Sequence, residues 1–140
     1  MKLTVKIALG ATLALGLIAA PAGAKGGTTK VPTDVVIEGY KYHMSTGRVV
    51  FSGHVDCASK CLSGRKVSLR QVTDGINAGT DMTNSKGDWA ISFKATAIQP
   101  GKFQAKASQR TIVKRKHGHV VSKTVCEAGK SKKFNAGSSR

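Results

Sequence analysis

Large apolar residues alternate with small or polar ones most clearly between residues 83 and 93. Residues 84–87 read Asn-Ser-Lys-Gly, and the glycine that ends them can adopt the positive φ that closes many tight turns. Trp89, Ile91 and Phe93 then follow at a spacing of two, which is the period of a half-buried β-strand. These three side chains include the only Trp of the chain, and we predict that they anchor the core.

The same period predicts strands along the rest of the chain, and turn signals rich in Gly, Asn, Asp and Pro separate them. No sustained helical period occurs after residue 24. The predicted strands are 34–44, 48–56, 66–73, 80–83 (short), 89–93, 102–108, 111–116 and 120–126, with 130–135 as an additional edge strand. We therefore predict an all-β protein, a seven- or eight-stranded antiparallel β-sandwich of Greek-key type.

Residues 1–24 have the pattern of a helical signal peptide. Two early lysines are followed by an apolar, uncharged run over residues 7–20 and then by the small residues that a signal peptidase requires. We predict cleavage between Ala24 and Lys25, and a secreted mature chain without a transmembrane span.

The mature chain is predicted to contain one domain. Its expected parts are a flexible leader over 25–33, a β-sandwich domain over 34–135 and a frayed tail over 136–140. Residues 1–24 hold two lysines and no acid, so their removal leaves 116 residues and lowers the formal charge of +16 to +14. A domain of this size buries about two-thirds of its unfolded surface, which is enough for one core.

Two basic clusters and one lysine between them dominate the last third of the chain. They comprise Lys114, Arg115 and Lys116, then Lys123, then Lys130, Lys132 and Lys133. If these segments form adjacent strands, their outward positions would merge into one patch that attracts polyanions. Wall polymers, acidic polysaccharides, lipid headgroups and nucleic acid are the candidate partners. Specific nucleic-acid recognition is not expected, because exposed aromatic residues are nearly absent. A surface that only keeps the protein soluble is the alternative.

The three cysteines predict one disulfide, because an exported chain meets an oxidising environment. Three pairings are possible among Cys57, Cys61 and Cys126. Cys57 continues the inward face of strand 48–56, so we expect a small buried hydrophobe there rather than a reactive nucleophile. Cys57 and Cys61, with His117 and His119, would nominally make four zinc ligands. No metal site is expected, because an exported cysteine pair is more often oxidised than metal-bound.

No group of residues indicates catalysis. The seven acidic residues are scattered and mostly lie beside turns, and the chain has no Gly-x-Ser-x-Gly elbow. It also has no glycine-rich phosphate loop that opens a helix. The protein is therefore expected not to be an enzyme and to need no cofactor. A small hydrolase or metal-dependent enzyme is a remote alternative.

The turn and strand at 83–93 also resemble those of a known family. Thr-Asn at 83–84 and Gly-Asp-Trp at 87–89 resemble the Thr-(Asp/Asn)-x-x-Gly-x-(Trp/Tyr) hairpin of carboxypeptidase regulatory-like domains, which share a transthyretin-like sandwich. Ser-Gly-His-Val at 52–55 and Pro-Gly-Lys-Phe-Gln-Ala at 100–105 are similar to flanking parts of the family's pattern.

The resemblance implies an accessory β-sandwich without an active site, in a small secreted bacterial-type protein. In relatives of this kind a Cys before Gly-Arg-x-Val pairs with one near the C-terminus, which implies the pair Cys61–Cys126. The leading expectation for function is a non-catalytic module with a structural or binding role at or outside the cell envelope. The second is a polyanion-binding protein that uses the basic clusters.

Overall fold

The structure is a computed structural model, and it describes residues 26–137. These residues form eleven β-strands and one 3₁₀ turn, Ser59–Cys61, and the described part contains no α-helix. The strands are β1 Gly27–Val31, β2 Asp34–His43, β3 Arg48–Asp56, β4 Lys66–Gln71, β5 Asn77–Met82, β6 Asp88–Lys94, β7 Gly101–Ala107, β8 Arg110–Lys116, β9 His119–Cys126, β10 Gly129–Lys130 and β11 Phe134–Ala136. The predicted signal peptide and its cleavage site lie outside the described residues.

Two antiparallel sheets pack around a shared core, so the all-β prediction is confirmed. One sheet has the order β2-β3-β6, and the other has the order β5-β4-β7, with β10 and β11 both pairing with the far edge of β7. Apolar side chains from both sheets meet in one cluster. Phe51 of β3 packs against Phe93 of β6 and Phe103 of β7, with ring centroids 5.8 Å and 4.7 Å apart. These aromatic contacts join the two sheets.

β6 contributes three large side chains to this core. Trp89, Ile91 and Phe93 are 3%, 2% and 8% exposed, whereas the residues that alternate with them are exposed. Ala105 and Ala107 of β7 are fully buried in the same cluster. Small side chains in one sheet thus accompany large ones in the other, as close packing requires.

The strand count is higher than the seven or eight predicted, for two reasons. The sequence predicts a flexible leader over 25–33, but Gly27–Val31 form β1, which pairs in parallel with β9. Polar Thr and Lys side chains do not prevent this pairing, because the main chain makes the hydrogen bonds. The predicted edge strand 130–135 is divided into β10 and β11, which pair separately with β7.

The predicted frayed tail, 136–140, begins two residues too early. Ala136 is the last residue of β11, lies opposite Gly101 and is 5% exposed. The Gly137 carbonyl then accepts a hydrogen bond of 2.8 Å from the Tyr40 hydroxyl. Burial and pairing therefore hold Ala136 in the fold, and the hydrogen bond holds Gly137; residues 138–140 lie outside the described residues.

The third sheet has the order β1-β9-β8. β8 and β9 form an antiparallel hairpin in which Lys116 lies opposite His119. The two residues between them, His117 and Gly118, have φ of 48° and 77°. Positive φ at both central positions is the pattern of a type I′ turn, whose twist matches that of the flanking strands. Residues 110–126 are called the β8–β9 hairpin below.

Candidate anion-binding surface

The structure places the two predicted basic clusters on different sheets. Lys114, Arg115 and Lys116 belong to β8 and Lys123 to β9, whereas Lys130 belongs to β10 and Lys132 and Lys133 lie just before β11. β10 and β11 pair with β7, not with β8 or β9. The prediction of one merged patch required the two clusters to lie on adjacent strands, and they do not.

The second cluster lies beside carboxylates. Lys130, Lys132 and Lys133 line a groove of about 510 Å³ together with Asp34 and Asp56. Two negative charges beside three positive ones leave little net potential in this groove. It is the weaker candidate for binding an anion.

The first cluster lies on a sheet that contains no acidic residue. The third sheet, 27–31 and 110–126, carries six exposed cationic side chains: Lys30, Arg110, Lys114, Arg115, Lys116 and Lys123. All seven Asp and Glu residues of the chain lie elsewhere in the sequence. In the described range, the side-chain contact of a carboxylate with a basic residue is the hydrogen bond between Glu38 and His54, outside this sheet. No acidic side chain within the third sheet offsets its positive potential, and the adjacent Glu127 lies at the base, just after β9.

The β8–β9 hairpin extends into solvent from a fixed base. Every residue from 114 to 121 is exposed. At the base, the predicted disulfide is confirmed, since Cys126 of β9 bonds to Cys61. The Arg110 guanidinium also donates a hydrogen bond to the Ser63 carbonyl. The base is therefore held by a covalent bond and a hydrogen bond, while the distal half is open on both faces.

Arg65, which the sequence did not single out, lies fully buried under this base. Its guanidinium donates to the Ser108 carbonyl at 2.8 Å and 3.1 Å, and to the Glu127 carbonyl at 2.7 Å. Ser108 precedes β8 and Glu127 follows β9, so one side chain connects both ends of the hairpin. Further bonds go to the Cys61 carbonyl at 3.3 Å and to the Thr33 hydroxyl at 3.2 Å.

These partners of Arg65 are uncharged oxygens rather than a carboxylate. Burial removes the guanidinium from water, which disfavours its charged form and lowers the pKa of Arg65. The nearby Cys57 opposes this effect. The sequence signal was the Arg of the Gly-Arg-x-Val segment, which comes four residues after Cys61. That spacing did not reveal that Arg65 is buried, because the carbonyls of Ser108 and Glu127 come from distant parts of the chain.

Cys57 is the free cysteine of the described residues. It is partly rather than fully buried, and it packs against the cluster formed by Val31 and the Cys61–Cys126 disulfide. Burial raises the pKa of the Cys57 thiol, and the positive charge of Arg65 opposes this rise. The raised pKa favours the protonated thiol at neutral pH, which is the less nucleophilic form.

The nominal zinc ligands are not brought together. His117 and His119 lie at the tip of the hairpin, and Cys61 is held in the disulfide at its base. Within residues 26–137, no group of three or more His, Cys, Asp or Glu side chains is placed to hold a metal ion. The same residues include no helix with the length and hydropathy needed to cross a bilayer.

Comparisons with known proteins do not assign the chain to a family. No family model matches it, and no curated protein or solved structure matches it either. The structure itself defines the class: an all-β protein with one disulfide and an exposed hairpin that carries cations but no acids.

Proposed function

We propose that this is a non-catalytic binding protein whose β8–β9 hairpin binds anionic polymers or surfaces. The observation that supports this most is the third sheet, with six exposed Lys and Arg side chains and no acid. Such a surface concentrates anions near itself and accelerates their association. The hairpin projects from a fixed base, so both faces of its distal half, residues 114–121, are accessible to a large ligand.

The interaction is proposed to rest on charge rather than on base recognition. The third sheet carries no Phe, Tyr or Trp, so bases would find no aromatic ring to stack on. Binding should then depend on the charge density of the polymer and fall with increasing salt. Acidic polysaccharides and wall polymers fit this behaviour as well as nucleic acid does.

We also propose that the protein is exported and acts at or outside the cell envelope. The pattern of residues 1–24 supports export, and a disulfide is compatible with an oxidising compartment. The turn and strand at 83–93 support the finer fold proposal, a Greek-key, transthyretin-like sandwich similar to carboxypeptidase regulatory-like domains. A purely structural role for that module is the second candidate function.

Heparin retention tests the binding proposal with two variants that remove equal charge. The first replaces three cations of the hairpin, Lys114, Arg115 and Lys123, by Gln. The control replaces Lys130, Lys132 and Lys133 by Gln. We expect the hairpin variant to elute at clearly lower salt than the parent, and the control to elute close to the parent. The slope of log K against log salt should fall by up to about 3 in the hairpin variant only, since each lost contact contributes about 0.9.

The two variants have the same net charge, so they separate a local surface from a general charge effect. Equal shifts of elution in both would show that only net charge matters, and would contradict the proposed site. Unfolding midpoints should stay near the parent's in both variants, because exposed charges contribute little stability.

A further inference from the structure

We propose that the partner of the β8–β9 hairpin is the surface of an anionic lipid bilayer, onto which the outer face of the hairpin docks. This inference rests on the proposed function, because it names the partner of the same cationic surface. The inference rests on exposed valines that lie among the cations, because binding by charge alone would not require apolar side chains there.

The strand register places these valines and two cations on one face. Residues directly opposite each other in an antiparallel pair share a face. Val113 lies opposite Lys123, and Val120 lies opposite Arg115. The register shifts between these two pairs, and Val121 is the extra residue at that bulge, next to Val120. This set is called the valine face.

The valine face is turned away from the core. Arg110 and Ile112 lie opposite Cys126 and Thr124, so these four residues define the other face. Cys126 is fully buried, Thr124 is 7% exposed, and Ile112 packs against the disulfide cluster. The face opposite to theirs therefore points to solvent.

The three valines are exposed large apolar side chains grouped on one face of the hairpin. Val113, Val120 and Val121 are 42%, 38% and 43% exposed. They make up three of the eight exposed large hydrophobic residues within 26–137, one from β8 and two from β9. An apolar surface of this kind among cations indicates an interaction site rather than a chance exposure.

This combination fits a bilayer better than a wholly polar polymer. Lys and Arg side chains bind the phosphates of anionic headgroups, and apolar side chains enter the boundary between headgroups and acyl chains. A polysaccharide or a nucleic-acid backbone would engage Arg115 and Lys123, but it offers the valines no apolar environment. An anionic bilayer would therefore contact both the cations and the valines of this face.

Vesicle co-sedimentation with matched variants tests the inference. Vesicles of phosphatidylglycerol and phosphatidylcholine in equal amounts are compared with vesicles of phosphatidylcholine alone. The hairpin variant carries Val113→Thr, Val120→Thr and Val121→Thr, which keep the charge and the β-branched shape. The control variant carries Thr at three exposed apolar positions elsewhere: Val36, Ile76 and Met82. Residues 1–25 are the same in every form, so any contribution from them cancels in the comparison.

We expect the parent and the control to bind the anionic vesicles and to bind phosphatidylcholine at least tenfold more weakly. The hairpin variant should bind the anionic vesicles about tenfold or more weakly than the parent, because each methyl group removed from the lipid boundary lowers the partition several-fold. Its elution from heparin should stay at the parent's salt concentration.

Equal vesicle binding by parent and hairpin variant would overturn the inference, and so would a parent that binds heparin but not anionic vesicles. Failure of the proposed function itself would look different, since either the parent would not be retained on heparin or the two charge variants would shift equally.

A second measurement does not depend on the Thr variant folding. Val120→Trp introduces an indole on the valine face, while the native Trp89 stays buried. We expect its emission to shift to shorter wavelength with anionic vesicles, and brominated lipid to quench it. Unchanged emission at saturating vesicle concentration would overturn docking by this face.

Discussion

Gly53 of β3 lies directly opposite Trp89 of β6, and the indole ring fills the space that a Gly53 side chain would need. A Cβ at Gly53 would lie 2.5 Å from Trp89 Cζ2 and 2.0 Å from the Val36 carbonyl oxygen. The largest side chain of the core is thus accommodated by the absence of a side chain on the neighbouring strand.

Gly53→Ala should lower the free energy of unfolding by on the order of 3 kcal/mol, because the backbone carbonyl of Val36 cannot move aside as a side chain would. Gly39→Ala is the matched control in a neighbouring strand, since a Cβ there meets nothing within 4 Å. It should change stability by only about 0.5 kcal/mol. Urea unfolding midpoints provide the comparison, and similar midpoints for the two variants would contradict the close packing at Gly53.

Trp89→Ala should cost roughly 3–5 kcal/mol, a large part of the stability of a domain of this size. Trp89→Phe should cost clearly less. The indole Nε1 is buried without a hydrogen-bond partner, so the smaller ring loses volume but no hydrogen bond. Equal instability of the Phe and Ala variants would contradict this prediction, because Nε1 would then have to make a stabilising contact that the structure does not show.

Cys126→Ser should lower stability by roughly 2–5 kcal/mol, because it removes the cross-link between residues 65 positions apart. Cys57→Ser removes no cross-link and should cost less. Peptide mapping under non-reducing conditions should recover Cys61 joined to Cys126, with Cys57 free. Recovery of Cys57 in the disulfide from folded protein would contradict the pairing.

Arg65→Met should destabilise the protein by on the order of 3 kcal/mol, because it leaves the partly buried carbonyls of Ser108 and Glu127 without their charged donor. Amide exchange should also accelerate in β8 and β9, whose ends these carbonyls flank. Arg70→Met is the control, as Arg70 is exposed and donates only to the nearby Gly75 carbonyl. It should change stability by less than about 1 kcal/mol. Equal effects would show that the buried position of Arg65 contributes nothing.

The raised pKa of Cys57 predicts a loss of stability at high pH. The folded protein holds the thiol protonated, so its contribution is complete below the thiol's ordinary pKa. Above about pH 9 the unfolded chain releases this proton more readily than the folded one, and stability falls as pH rises through the folded pKa. The parent should therefore lose more stability than Cys57→Ser between about pH 8 and pH 10, as measured by urea unfolding. Parallel pH profiles would contradict the assignment.

Strands with a marked apolar alternation could be predicted from the sequence. β3 runs from Arg48 to Asp56, as predicted, and β6 places its three large side chains in the core. β1 could not be predicted in the same way, because Val31 is its one large apolar residue and its partner strand is distant in sequence. An element that depends on main-chain pairing with a distant strand leaves no periodic signal.

The candidate site was predictable in its residues but not in its arrangement. The cluster at 114–116 was visible as a run of charge, whereas its separation from the lysines at 130–133 depends on which strands pair. Arg65 was missed because a single Arg in a sequence usually indicates a solvated side chain. Only the fold brings Ser108 and Glu127 to its guanidinium.

The parallel pairing of β1 with β9 also affects the order in which the chain can fold during synthesis. β1 is made early, but its partner residues, 122–126, follow about 95 positions later. At a translation rate of roughly 5–20 residues per second, β1 remains without its partner for roughly 5–20 s. The β8–β9 hairpin, by contrast, pairs neighbouring residues and can form within microseconds of being released. The third sheet is therefore completed by the first of the described strands docking onto one of the last, and β1 waits longer for its partner than any other described strand.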